Sequence, residues 1–262
     1  MLPFTDNVQL PRRPLVTVAL VIASVAVYGA LVAQGGDLRR GPGAGVAARH
    51  LLVPYRLTHS HGACRLSPRR RGTSQAGTVS CGPAPAPAAV ALRAPPAWEG
   101  TLASLLAYGS LLPILAGLAG LAVLGPTLES TLGHGRYALL YLAGGAVALG
   151  VQLGAAPSSP APMLAASAAV AAILAGYLAA HPRARVLALV PVPFFVTIVE
   201  LPAAALIALW LAVQVYAQLA GLADPVHAGT AAALAGLAGA SACGVLSLRL
   251  RARRADPAGA PA

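Results

Sequence analysis

The stretch V-L-A-L-V-P-V-P-F-F-V-T-I-V (186–199) is apolar from end to end, and whether it crosses a bilayer decides the fold. A spanning helix needs roughly 20 apolar residues. This run is shorter, and Pro191 and Pro193 would break a helix there. It is therefore read as an interfacial or re-entrant segment that leads into the next span without crossing. Six longer apolar runs surround it, at about 15–34, 102–124, 137–155, 163–180, 201–221 and 227–248. If 186–199 does not cross, the fourth and sixth runs start from the same face of the membrane.

Composition supports that count. Of 262 residues, 57% are hydrophobic and 10% charged, and mean hydropathy is +0.73. Too little polar surface is available to cover soluble domains, so this is a polytopic membrane protein. The net charge is +11, and every one of the 18 basic residues is Arg. No basic stretch carries an aromatic platform, so nucleic acid is not the expected partner. The charge is read as orientation and contact with anionic headgroups. The abundance of Ala, Gly, Pro and Arg suggests a GC-rich bacterial genome, hence a bacterial inner membrane.

The loops set the orientation. Residues 1–14 form a short arm in which Arg12 and Arg13 precede the first span (15–34), placing the N-terminus in the cytoplasm. The first run is long for a signal peptide and no A-x-A site follows, so it is read as a retained helix. Residues 35–100 form a long external loop with nine arginines; Pro83, Pro85, Pro87, Pro95 and Pro96 mark an extended or disordered part. Loops of roughly 60 residues translocate regardless of such charge. Arg136, Arg183, Arg185 and the basic tail (249–262) fall on the cytoplasmic side, whereas 156–162 and 222–226 fall outside and lack Arg. The expectation is an all-α protein. Its core, 101–248, holds five transmembrane helices, both termini are cytoplasmic, and Gly144, Gly145 and Gly176 allow close helix packing.

Two polar residues stand out. Ser167 lies early in the fourth span and His227 opens the sixth. A serine hydroxyl within reach of a histidine base is an activated nucleophile. The bland alternatives are a small packing serine, like Ser104 or Ser241, and an interfacial histidine. Glu129 and Glu200 sit at expected helix ends or turns, so no carboxylate lies mid-bilayer, which argues against a proton-coupled transporter.

Several segments resemble the rhomboid family of intramembrane serine proteases: L-L-V-P-Y-R-L-T-H (51–59), L-E-S-T-L-G-H-G-R-Y (128–137), H-P-R-A-R-V-L-A-L-V-P (181–191) and F-F-V-T-I-V-E-L-P-A (194–203). The resemblance implies a six-helix bundle in which 186–199 does not span. It also implies a Ser-His dyad. The family's G-x-S-G reads Ala165-Ala166-Ser167-Ala168 here, and its histidine reads His227, followed by Gly229 and Thr230. Many active members carry H-x-x-x-N in span two. The matching positions are Pro113 and Gly117, preceded by Leu106-Ala107-Tyr108-Gly109 where the family has F-L-H-G. Neither Pro113 nor Gly117 has a side-chain donor, and Pro113 is expected to kink the helix. The backbone N–H groups of Ser167 and Ala168 are left as oxyanion donors. Two readings follow: an endopeptidase that cuts transmembrane protein substrates in the bilayer, with impaired activity, or a pseudoprotease that binds such segments. Neither needs a metal or other cofactor.

Cys64 and Cys81 lie in the external loop, where they can form a disulfide. With His59 and His61 they match no standard zinc spacing. Cys243 reads as a small apolar residue of the last span.

Overall fold

In the computed structural model the described residues are 13–59, 63–66, 79–82, 90–92, 96–192 and 195–219, with single helical positions at 238, 241, 242 and 245. The arm 1–12, most of the sixth expected span and the tail lie outside them. Helix α1 (Leu15–Ala33) is uncharged and mostly apolar, with Thr17 and Ser24 buried. Its Leu15, Val18, Ile22 and Val25 face outward, as a lipid-facing helix requires.

The segment expected to be a long loop is built from short elements. Strands β1 (Gly36–Asp37) and β2 (Gly41–Pro42) form a small hairpin, followed by α2 (Ala44–His50) and α3 (Pro54–Thr58). Strand β3 (Ala63–Leu66) pairs antiparallel with both β4 (Val79–Gly82) and β5 (Val90–Ala91). Gly41 takes φ +91 and presses on the Gly109 carbonyl, a backbone contact that leaves no room for a side chain. The Pro-rich stretches 83–89 and 93–95 lie outside the described residues. The short sheets correct the all-helical expectation.

The second expected span (102–124) is two helices. Helix α4 (Ala97–Leu106) ends, the chain runs extended through Ala107 and Ser110, and α5 (Leu111–Leu132) follows. The break persists because other groups satisfy it. The α4 carbonyls of Ser104 and Leu105 accept from Ala165 N–H and the Tyr141 hydroxyl, and Leu111 N–H donates to Arg39 O. Pro113 falls in the first turn of α5, where no backbone donor is needed, so it does not kink the helix as expected. Pro126 is the proline inside α5.

The stretch 125–136, between the second and third expected spans, is also largely helical. Helix α5 continues to Leu132, and Gly133 alone, at φ +80, turns the chain into α6 (His134–Ala155). Polar residues made this stretch read as a loop, but their side chains are satisfied: Ser130 and Thr131 hydroxyls donate to Thr127 O.

Helix α7 (Ala166–Ala180) is the central element. Ala168, Val170, Ile173 and Tyr177 are buried on all sides of it. Built Cβ atoms on Gly144 and Gly145 would strike Ala172 and Leu105, so α6 seats this close to its neighbours only because those positions are glycine.

Strands β6 (Arg185–Val192) and β7 (Phe195–Pro202) follow as an antiparallel hairpin in register from Arg185–Pro202 to Val192–Phe195. The expected interfacial or re-entrant segment therefore goes out and comes back. Ala203 N–H donates to Ala184 O at its base, so α8 (Ala203–Leu219) starts where α7 ended. The indole N–H of Trp210 then meets Ala116 O of α5 at 2.9 Å. Among the described residues, α1, α5 and α6 are long and apolar enough to cross a membrane, and α7 and α8 are shorter apolar helices.

Candidate active site

Ser167 is the second residue of α7 and is partly buried. The chain before it is strapped down by the loop elements. Met163 N–H donates to Leu52 O at 2.7 Å, and Ala165 N–H donates to Ser104 O at 2.8 Å. The Ser104 hydroxyl in turn accepts Leu52 N–H at 3.0 Å. Further out, Tyr55 N–H meets Ser159 O, and the Thr58 hydroxyl meets Pro157 O. One serine of α4 thus holds both the loop and the residue that opens α7. Ser104, which the sequence offered only as a packing residue, bonds the loop to the chain leading into α7. Its hydroxyl looked like filler because its partner lies 52 positions away.

The first turn of a helix leaves N–H groups without intrahelical partners and carries a partial positive charge. Here the first bond inside the helix runs from Ala169 N–H to Ala165 O. Among the described residues, no group accepts from the N–H of Ser167 or Ala168. A serine hydroxyl and two amide donors with no acceptor among the described residues therefore share one helix end.

The span-two positions flank Ile114 of α5, which packs in one cluster with Ala166. Pro113 and Gly117 are buried on α5 and offer no side-chain donor. Tyr108 lies against Gly117: a Cβ built there would come 2.5 Å from the tyrosine hydroxyl. Tyr108 also shares a packed cluster with Tyr28, Ile114 and Ala166, the residue before Ser167. The sequence placed Tyr108 within one continuous span and in a degenerate motif, which gave no sign of this packing.

Other expected residues fall as follows. Cys64 and Cys81 are cross-strand neighbours on β3 and β4 and are joined in a disulfide, which leaves neither thiolate to ligate zinc. Arg56 lies nearby, donating to Ala48 O at 2.7 Å and Leu92 O at 3.1 Å; burial pushes its guanidinium below the ordinary value. Glu129 sits in the last turn of α5, at a helix end as expected, and is buried. His227 lies outside the described residues, as does Cys243.

The family model for the Rhomboid domain matches residues 96–249, which begin at the N-cap of α4 and take in both Ser167 and His227. No curated protein and no solved structure matches the chain. The match covers more than half of the sequence and agrees with a mostly helical chain whose long apolar helices make it a multi-pass membrane protein. The chain belongs to the rhomboid family, whose members are generally intramembrane serine proteases.

Proposed function

We propose that this rhomboid is an intramembrane serine endopeptidase with Ser167 as nucleophile and His227 as base. The observation that carries the reading is the position of Ser167. It opens a buried helix, no group among the described residues accepts from its N–H or that of Ala168, and a bonded loop holds the chain leading into it. In the reaction, the Ser167 hydroxyl attacks a peptide carbonyl as His227 takes its proton. The carbonyl electron pair moves onto oxygen, beside the two backbone donors. Collapse expels the amine, which receives the proton from His227, and water hydrolyses the acyl-enzyme. No metal or other cofactor takes part.

The β6–β7 hairpin supports the pairing of these residues. Because it returns to Ala184, α8 runs back toward the end where Ser167 lies, and His227 follows α8 in sequence. An apolar cleft of about 640 Å³ between α5 and α8, lined by Leu115, Ala119, Leu206, Trp210 and Val213, suits a transmembrane segment arriving from lipid. We place the protein in a bacterial inner membrane with six spans and both termini cytoplasmic. The cytoplasmic arm is then 1–14, the first helix 15–34, the external loop 35–100, the five-helix core 101–248 and the tail 249–262.

The second reading, a pseudoprotease that binds transmembrane segments without cutting them, draws on one observation: Pro113 and Gly117 supply no donor. Reconstitution with a reporter transmembrane substrate separates the two. The endopeptidase reading expects cleavage that Ser167→Ala and His227→Ala each abolish, and labelling of Ser167 by a fluorophosphonate. Binding of the reporter with neither cleavage nor labelling assigns the pseudoprotease.

A further inference from the structure

We propose that Tyr108 is a catalytic residue whose hydroxyl donates a hydrogen bond to the oxyanion formed on the substrate carbonyl. The inference rests on the reading of Ser167 as nucleophile and adds the side-chain donor that the sequence did not reveal. Its first support is an unmet bond. Tyr108 is about 1% exposed, and its hydroxyl is buried without a hydrogen-bond partner among the described residues. A buried donor without an acceptor is costly, and native structures hold few of them. The same ring ending in hydrogen would fill the space without that cost.

The second support is location. Several buried hydroxyls lack partners, but Tyr108 is the one in the cluster with Ala166, directly before Ser167. Its hydroxyl lies over Gly117, where any side chain would collide with it. The absence of a side chain at Gly117 is thus what admits the tyrosine. Ala166, which shares this cluster, opens α7, and the next two N–H groups, of Ser167 and Ala168, have no acceptor among the described residues at the positive end of that helix. A phenol in a site free of bulk water is a strong donor to developing charge, and it reorganises little because packing fixes its ring. When the Ser167 oxygen bonds to the carbonyl carbon, the π pair moves to the carbonyl oxygen. The Tyr108 hydrogen stays on the phenol and bonds to that oxygen until collapse restores the carbonyl.

The test compares wild type, Ser167→Ala and Tyr108→Phe on a reporter transmembrane substrate in proteoliposomes, with unfolding temperature measured in detergent. The expected result is that Ser167→Ala is inactive and Tyr108→Phe loses about 100-fold in kcat with KM within about threefold. The rate of fluorophosphonate labelling of Ser167 falls in parallel. The unfolding temperature of Tyr108→Phe stays level or rises, because an unpaired buried hydroxyl has been removed. A Tyr108→Phe rate within threefold of wild type overturns the proposal and leaves Ser167 as nucleophile. So does a loss confined to KM or tracking a fall in unfolding temperature. Cleavage that persists in Ser167→Ala, or an inactive and unlabelled wild type, overturns the nucleophile reading and this proposal with it.

Discussion

Glu129 Oε2 accepts two hydrogen bonds from Thr17, one from its backbone N–H at 2.8 Å and one from its hydroxyl at 2.7 Å. The other oxygen, Oε1, accepts Val16 N–H at 2.8 Å and pairs with His134 Nδ1 at 2.5 Å. The first turn of α1 has no cap from its own sequence, since Pro14 precedes it. A carboxylate from α5 supplies one, favoured by the positive end of the helix.

Glu129→Ala leaves two N–H groups, a hydroxyl and an imidazole without their acceptor. The expected loss is about 3 kcal/mol, with Glu129→Gln costing about half as much. Thermal unfolding in detergent measures it. Equal stability for Glu129→Ala and wild type contradicts the capping role.

Ser104→Ala removes the acceptor for Leu52 N–H while keeping the backbone bond to Ala165. A loss of about 1–2 kcal/mol is expected. Activity should fall by roughly tenfold, because a small shift in the chain leading to Ser167 misplaces the nucleophile. Ser104→Thr, which retains the hydroxyl but adds a methyl to a fully buried position, is expected to lose stability by overpacking. Kinetics on a reporter substrate alongside unfolding curves separate the two effects.

The Cys64–Cys81 disulfide joins residues 17 positions apart. A closure of that size contributes about 3 kcal/mol in the chain-entropy picture. Reduction, or Cys64→Ser with Cys81→Ser, should lower the unfolding temperature and expose the loop to protease, and reduction should shift migration on a non-reducing gel. Identical proteolysis of oxidised and reduced protein contradicts this.

Asp37 gives a pH signature outside the membrane-spanning helices. N–H bonds from Arg40 and then Arg39 hold its carboxyl below the ordinary value. Its folded value thus lies below its unfolded one. Its stabilisation is present above the unfolded value, near about 4, and is lost as pH falls through the folded value. Protease protection of the loop should weaken over that acidic window in wild type, and Asp37→Asn should flatten the dependence. A wild-type profile that Asp37→Asn leaves unchanged assigns the acid response to other groups.

Sequence determined the elements that depend on composition alone. Long uncharged runs gave α1, α5, α6, α7 and α8, because a bilayer selects apolar segments of a set length. The prolines and short length of 186–199 told it apart from a spanning helix, and its hairpin brings the start of α8 back to the end of α7. Ser167 was legible as a polar residue where lipid favours none. What the sequence left open were relationships between distant positions. The break at Ala107–Ser110 depends on Tyr141, Ala165 and Arg39, and the helical run through Glu129 depends on Thr17. Ser104 read as an ordinary helix residue and Tyr108 as one position of a degenerate motif, since their importance lies in which buried groups they meet or fail to meet. Apolar burial is a property each residue carries by itself, so a chain declares it locally. A hydrogen bond needs two groups at a set distance, and only the packed tertiary structure brings those two together.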